Sequence, residues 1–167
     1  CTGVKTIGYE MKPECCETYR INLNSECRNE MLTEATDYPV ADIVLGGPPC
    51  QPFSRRGKRK GKDDARDGFP AYIAAIRKLQ PKIWVCENVK GLPELDVNYF
   101  RAILAQFHEL GYRVDYRVIR MSNYDVPQKR ERLVIVGHHG GFVFPEESMY
   151  TVTAGEALAD RIASVPD

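Results

Sequence analysis

The chain alternates between short apolar runs and segments in which apolar residues recur at helical spacing. Residues 41–46 form the clearest apolar run, which is typical of a buried parallel strand. Apolar positions within residues 69–79 recur every three or four residues, and Pro81 marks the end of that predicted helix. A second helical pattern covers residues 100–110. Strands that alternate with helices predict an α/β fold with a largely parallel sheet and helices on both faces.

Weaker patterns complete this alternation. Residues 5–9 predict a strand that ends at Glu10, and Pro13 is a favourable first residue for a helix that continues to Leu23. The remaining predicted strands cover residues 27–32, 82–86, 114–118 and 132–136. Because no helical pattern separates the last two strands, we expect them to pair antiparallel.

Length and composition allow a single domain and exclude several classes of protein. The 167 residues are 43% hydrophobic and their formal net charge is zero, so any affinity for nucleic acid must come from local clusters of charge. No apolar stretch is long enough to span a membrane, and no signal peptide is recognisable. The six cysteines show no C-x-x-C spacing and the three histidines no H-E-x-x-H pattern. We therefore predict a reduced chain with no metal site.

Cys50 follows the strongest predicted strand. Gly46 and Gly47 end that strand, and Pro48 and Pro49 stiffen the exit from it. Open α/β sheets bind their ligands at this edge. Six basic residues come shortly afterwards: Arg55, Arg56, Lys58, Arg59, Lys60 and Lys62. A thiol beside such a basic loop indicates covalent chemistry on a nucleic acid, and the alternative is a buried, inert cysteine.

Three further polar sites lie beside predicted strands. Glu10 ends an early strand, where an acid commonly binds ribose hydroxyls of an adenosine-containing cofactor; a solvated surface glutamate is the alternative. Apolar neighbours would favour a protonated Glu87 that can donate a proton, whereas the alternative is a capping or salt-bridged carboxylate. Arg130 and Arg132 alternate in an extended segment, so both would point to one face and could hold a phosphate or a base carbonyl. An ordinary solvated charge run is the alternative for that segment.

Taken in order, these residues resemble the DNA cytosine-5 methyltransferases. The motifs that carry the resemblance are Gly47-Pro48-Pro49-Cys50-Gln51-Pro52-Phe53-Ser54, Glu87-Asn88-Val89 and Gln128-Lys129-Arg130-Glu131-Arg132. Two more segments are similar to family blocks, namely Asp64-Ala65-Arg66 and Tyr9-Glu10-Met11. The resemblance covers nearly the whole chain, and the three longer motifs are specific when they occur together in this order.

The resemblance implies a Rossmann-like, S-adenosylmethionine-dependent methyltransferase sheet with an antiparallel final strand pair. In the mechanism that it implies, Cys50 adds to carbon-6 of a cytosine and so makes carbon-5 nucleophilic. Glu87 hydrogen-bonds or protonates nitrogen-3 of the ring. Arg132, together with Arg130, holds the carbonyl oxygen of the base.

Family precedent also assigns the binding residues. For S-adenosylmethionine, Glu10 binds the ribose hydroxyls, Met11 covers a face of the adenine, Pro49 lines the wall between cofactor and base, and Phe69 is a neighbour. The residues assigned to the nucleic acid are Gln51, Ser54, Arg55, Arg56 and Gln128. A cytosine buried in a duplex must be flipped out to reach such a site. The basic loop 55–62 would then clamp backbone phosphates.

The resemblance further implies that parts of the catalytic domain lie outside this chain. The first strand, in the middle of the sheet, and its glycine-rich cofactor motif are expected before residue 1, and a target-recognition region after residue 167. Residues 1–150 are interpreted as a partial catalytic domain, and residues 151–167 as the start of the segment leading to that region. Expected partners are double-stranded DNA and a complementary chain that supplies the missing motifs.

The expected setting is a restriction-modification system in a prokaryotic or viral cytosol. Two alternatives stay open. One is the tRNA cytosine-5 methyltransferase branch, which shares the same catalytic motifs. The other is a catalytically silent nucleic-acid-binding subunit that needs a partner chain.

Overall fold

The computed structural model describes residues 4–49 and 67–162 of the chain. Within these ranges the strands are β1 (Ile7–Glu10), β2 (Glu26–Asn29), β3 (Ile43–Gly46), β4 (Ile83–Val89), β5 (Arg113–Arg120) and β6 (Glu131–His138). The helices are α1 (Pro13–Leu23), α2 (Phe69–Leu79), α3 (Leu92–Leu95), α4 (Val97–Glu109) and α5 (Ala154–Ile162), with a 3₁₀ helix at Met121–Tyr124. Five candidate site residues lie outside the described ranges: Cys50, Gln51, Ser54, Arg55 and Arg56.

The strands form two sheets. β1 and β2 pair in parallel as a separate two-stranded sheet, and the larger sheet has the order β3-β4-β6-β5. β3 and β4 are parallel, whereas β6 is antiparallel to both β4 and β5. The predicted antiparallel pairing of the last two strands is confirmed. The sheets part between β1 and β3, which is where the resemblance places a further strand.

The main core covers one face of the larger sheet. Trp84 of β4 and Phe107 of α4 are fully buried there, with their ring centroids 4.0 Å apart. The other members of this cluster come from α2, α3, α4, the strands and the residue before β5: Phe69, Tyr72, Ile73, Ile76, Cys86, Leu92, Tyr99, Phe100, Ile103, Tyr112, Leu133 and Ile135. Ile43 and Leu45 of β3 are 55% and 74% exposed. Helices α2, α3 and α4 contribute to this core, whereas α1 packs against β1 and β2.

Prolines set several of the helix boundaries. Pro13 is the first residue of α1, and Pro70 lies in the first turn of α2. A proline is tolerated in the first turn because the N–H that it lacks would have no partner within the helix. α2 ends at Leu79, and its C-cap residue Gln80 has a left-handed backbone with φ 44° and an N–H that donates to the carbonyl of Ile76 at 2.9 Å. Pro81 follows and cannot continue the helix. The predicted extent of both helices is confirmed.

Other parts of the fold differ from the sequence-based expectation. β2 ends at Asn29, three residues before the predicted end, and α3 and α5 were not predicted. The segment after β6 is held by specific contacts, since the N–H of Ser148 donates to the carbonyl of Asn123 at 2.7 Å. Within the two described ranges, no helix has the length and apolar character needed to cross a membrane.

Candidate active site

The chain leaves β3 beside the carboxyl end of β4. Gly46 lies opposite Cys86 in the parallel register, so the next residue, Gly47, lies beside Glu87. A Cβ atom placed on Gly47 would be 3.6 Å from Oε2 of Glu87. Pro48 and Pro49 follow at once and lead directly to Cys50. The sheet therefore brings the Glu87 carboxylate to the strand exit that carries the candidate thiol.

Glu87 and Arg132 form an ion pair across two antiparallel strands. Glu87 lies opposite Val134 and Val89 lies opposite Arg132, so the two charged residues are diagonal neighbours on one face. Nε of Arg132 is 2.6 Å from Oε1 of Glu87. Nη1 of the same guanidinium donates to the carbonyl of Glu131 at 2.8 Å, which fixes its orientation. Of the two interpretations of the Glu87 environment, the structure shows the salt-bridged carboxylate, because Glu87 faces the guanidinium of Arg132.

Asn88 holds the strand exit from the core side of β4. Its side chain is 4% exposed, and Nδ2 donates to the carbonyl of Pro48 at 3.0 Å. Oδ1 accepts from the N–H of Val89 at 2.8 Å, so the amide bridges two backbone segments. A buried polar group that loses its hydrogen-bond partner destabilises the fold by roughly 1–3 kcal/mol, so this hydrogen bond favours one position of the Pro48 carbonyl. Asn88 belongs to one of the sequence motifs, but the sequence alone does not indicate this role.

Glu131 is paired separately from Arg132. Its carboxylate forms an ion pair with Nζ of Lys90, and the ammonium holds the pKa of Glu131 below its usual range. Lys90 is therefore the ion-pair partner of Glu131, and the guanidinium of Arg132 is directed at Glu87. The sequence alone does not predict which cation pairs with which carboxylate, because Lys90 lies outside every motif.

Arg130 and Gln128 lie at the rim of an open depression of about 420 Å³. The depression is lined by Val89, Lys90, Gln128, Lys129, Arg130, Glu131 and Arg132. Both Arg130 and Gln128 are exposed, and backbone hydrogen bonds hold the turn that carries them: the N–H of Arg130 donates to the carbonyl of Gln128 at 2.9 Å. Cationic side chains in an open depression suit a phosphate or a polar base edge.

Comparison with known proteins assigns the chain to a family. The family model for C-5 cytosine-specific DNA methylase matches residues 2–160. The chain belongs to this family. It is 42% identical to the Type II methyltransferase M.AplI of Arthrospira platensis, over 98% of this chain and 48% of that protein. It is 36% identical to the Type II methyltransferase M.NgoMIV of Neisseria gonorrhoeae, over 92% of this chain and 52% of that protein. The chain thus spans about half the length of these curated relatives.

Solved structures show the same cytosine-5 methylase fold. One from an E. coli prophage, assigned as a DNA modification methyltransferase, superposes with a TM-score of 0.70 at 26% identity, over 98% of this chain and 49% of that one. The S. pombe Dnmt2 methyltransferase gives a TM-score of 0.61 at 19% identity, over 99% and 50% of the two chains, and supports the fold alone. The predicted Rossmann-like methyltransferase fold and family are confirmed.

The cytosine-5 methylases use S-adenosylmethionine, and the described residues offer a matching acid at the end of β1. Glu10 is half-buried, and its Oε1 accepts from the N–H of Lys12 at 2.9 Å. Asn29 lies opposite Glu10 at the end of β2 and donates from Nδ2 to its carbonyl at 2.9 Å. A carboxylate at the carboxyl end of a parallel strand is the kind of group that accepts from ribose hydroxyls.

The other candidate cofactor residues differ in exposure. Met11 is 61% exposed and follows Glu10 directly, so its side chain is accessible to a ligand. Pro49 accepts a hydrogen bond from the N–H of Gly68 at 2.9 Å. Phe69 is 1% exposed and packs edge-to-face with Tyr99. The roles of these residues in cofactor binding stay predictions.

Proposed function

We propose that this chain is part of an enzyme that methylates carbon-5 of cytosine in DNA through a covalent adduct with Cys50. The Glu87–Arg132 ion pair beside Gly47 carries the proposal. It joins two of the three sequence motifs at the strand exit that leads to the third. If residues 128–132 were only a solvated charge run, Arg132 would not be expected to form an ion pair with Glu87.

In the proposed reaction, covalent addition makes carbon-5 of cytosine, which is otherwise a poor nucleophile, reactive toward a methyl donor. The Cys50 thiolate adds to carbon-6, a sulfur–carbon bond forms, and the electron pair of the carbon-5 to carbon-6 double bond moves into the ring. Carbon-5 would then be nucleophilic enough to take a methyl group from the sulfonium of bound S-adenosylmethionine, whose sulfur–methyl bond would break to leave S-adenosylhomocysteine. Loss of the carbon-5 proton restores the double bond as the bond to Cys50 sulfur breaks and the thiolate leaves.

Glu87 and Arg132 act on the polar edge of the same ring. Addition of the thiolate places negative charge on nitrogen-3 and the carbonyl oxygen. A Glu87 carboxyl that hydrogen-bonds or protonates nitrogen-3 stabilises that charge. The guanidinium of Arg132 is preoriented by the carbonyl of Glu131 and can donate to the base carbonyl as well as hold Glu87. Arg130, at the rim, is a second candidate for the base carbonyl or a phosphate.

S-adenosylmethionine supplies an electrophilic methyl group when it is bound. Glu10 would accept from its ribose hydroxyls at the end of β1, and exposed Met11 would cover the adenine. Pro49 would separate the methyl donor from the base, and Phe69 lies next to that segment. These assignments rest on the fit of Glu10 and on the family of the chain.

Double-stranded DNA is the proposed substrate, with the target cytosine flipped into the site. Gln128 lies on the open depression, where it can contact the displaced strand. The other proposed DNA contacts, Gln51, Ser54, Arg55 and Arg56, belong to the basic segment 50–66. We propose that the enzyme works within a restriction-modification system in a prokaryotic or viral cytosol, since the relatives are Type II methyltransferases.

A further strand is proposed to complete the sheet. Within the described ranges, β3 pairs with β4 on one side, and its residues Ile43 and Leu45 are exposed. A strand from a flanking segment or from a complementary chain would pair there and supply the glycine-rich cofactor turn that the resemblance implies.

Methyl transfer to two nucleic acids tests the proposed function. The full-length gene product is incubated with labelled S-adenosylmethionine and either duplex DNA or tRNA, beside Cys50→Ser and a matched Cys15→Ser control. We expect label in 5-methylcytosine of DNA for the parent and the control, and none for Cys50→Ser. Label in tRNA alone would overturn the DNA assignment, and an active Cys50→Ser would overturn the role of the thiol.

A further inference from the structure

Gly68 packs against both prolines that precede Cys50. Its N–H donates to the carbonyl of Pro49 at 2.9 Å. A Cβ atom on Gly68 would lie 3.0 Å from Cβ of Pro48 and 2.9 Å from N of Pro49, and closer still to Cδ of Pro49. The backbone of Gly68 has φ −89° and ψ −6°, which any residue adopts. Lack of space, and not conformation, therefore requires glycine here.

Gly68 is itself anchored through its neighbour Asp67. Oδ1 of Asp67 accepts from the N–H of Phe69 at 3.0 Å, which fixes the start of α2. The second carboxylate oxygen accepts from the hydroxyl of Tyr99 on α4. Tyr99 is 8% exposed and Phe69 is 1% exposed, so the anchor reaches into the core. The position of Gly68 is thus set by two helices.

Two consecutive carbonyls before Cys50 accept hydrogen bonds from different parts of the chain. Asn88 of β4 donates to the carbonyl of Pro48, and Gly68 donates to the carbonyl of Pro49. We propose that Gly68 is a positioning residue for the nucleophile, because it clamps the peptide bonded to Cys50. Sequence motifs do not predict this role. The inference rests on the proposed function, since it matters only if Cys50 reacts.

Gly68→Ala is expected to separate the rate of the reaction from binding. The added methyl group must displace the Pro48–Pro49 segment or break the bond to the carbonyl of Pro49. A displacement of about 1 Å at a reacting group can cost about a hundredfold in rate. We expect adduct formation to slow by about 10- to 100-fold, with the Kd for DNA within about twofold of the parent. A purely structural role would instead lower thermal stability and the affinity for DNA together.

Single-turnover trapping of the full-length enzyme on duplex DNA that contains 5-fluorocytosine provides the test. Gly155→Ala is the matched control, because its new methyl group would come no closer than 3.9 Å to the nearest atom, Oγ1 of Thr153. The parent and Gly155→Ala should trap at equal rates, and Gly68→Ala should be slow. Equal trapping by Gly68→Ala would overturn the inference. A parent that forms no adduct would instead overturn the proposed function.

Asp67 variants keep the inference testable if Gly68→Ala does not fold. Asp67→Ala removes both hydrogen bonds that anchor Gly68, whereas Asp67→Asn retains the acceptor for the N–H of Phe69. We expect Asp67→Ala to slow trapping severalfold with unchanged DNA affinity, and Asp67→Asn to recover most of the rate. Equal rates for the parent and Asp67→Ala would contradict the anchor and with it the positioning role of Gly68.

Discussion

Nε of Arg132 lies 2.6 Å from Oε1 of Glu87, and the pair joins the carboxyl end of β4 to the start of β6. The side chain of Glu87 stays 46% exposed and that of Arg132 23% exposed, so a substrate can reach both. An exposed ion pair contributes little to stability, typically below about 1 kcal/mol. Its value here lies in holding a carboxylate and a guanidinium beside the exit of β3.

Glu87→Gln should slow covalent addition far more than it weakens DNA binding. A glutamine keeps the shape of the side chain but cannot supply an acidic proton, and its amide group pairs less strongly with Arg132. We expect a loss of roughly a hundredfold or more in the single-turnover rate. The measurement compares that rate with the DNA Kd of the same variant. An unchanged rate would assign Glu87 a structural role only.

Arg132→Lys should cost more activity than Arg130→Lys. Lysine keeps the charge but loses the planar group that bonds Glu87 and the carbonyl of Glu131 at the same time. One missing charge-assisted hydrogen bond corresponds to about tenfold in rate. Arg130 is exposed, and its variant serves as the matched comparison. Equal losses in kcat for the two variants would contradict the claim that the two hydrogen bonds of the Arg132 guanidinium matter for the reaction.

The sequence indicates candidate site residues but not the residues with which they pair. Glu87 and Arg132 belong to motifs far apart in the chain, and they meet because β6 inserts between β4 and β5. Side-chain periodicity shows which face a strand buries but not which strand is its neighbour. The sequence displays the motif that contains Asn88, but the hydrogen bond from Asn88 to Pro48 depends on the parallel register of β3 and β4.

Local sequence signals explain which elements could be predicted. Pro13 and Pro81 limit helices for steric reasons that the sequence displays directly. α3 has only four residues, too few for a periodic pattern, and α5 begins at a hydrogen-bonded box between Thr153 and Glu156. That box has the T-x-x-E spacing of a helix start, so the sequence does carry a local signal for α5.

The start of α5 should lose stability in acid. Hydrogen bonds from Tyr150 and Thr153 lower the pKa of Glu156 from about 4.5 to about 2. A depressed pKa in the folded state stabilises the folded box above pH 4.5, and this contribution is lost as pH falls from about 4.5 through about 2. Carboxyl NMR titration of Glu156 measures it. Tyr150→Phe removes the hydrogen bond that lowers this pKa most, so Glu156 should titrate at higher pH in the variant. An unchanged midpoint for Glu156 would contradict this account.

Removing the charge of the basic loop should weaken DNA binding without changing sequence preference. The variant replaces six residues by glutamine, namely Arg55, Arg56, Lys58, Arg59, Lys60 and Lys62. Phosphate contacts position a duplex but do not read its sequence. The slope of log affinity against log salt should flatten by about one unit for each phosphate that the variant no longer neutralises. A salt slope equal to that of the parent would show that the loop does not bind the DNA backbone.

The central claim is that Cys50 forms a covalent bond with the target cytosine. Fluorine at carbon-5 cannot leave as a proton does, so the adduct should accumulate on duplex DNA that contains 5-fluorocytosine. The direct measurement is mass spectrometry of the trapped full-length enzyme after proteolysis, with Cys50→Ala treated in the same way. We predict one modified peptide, with the nucleotide on Cys50, and no adduct with Cys50→Ala. An adduct on another residue, or methylated DNA produced by Cys50→Ala, would contradict the account.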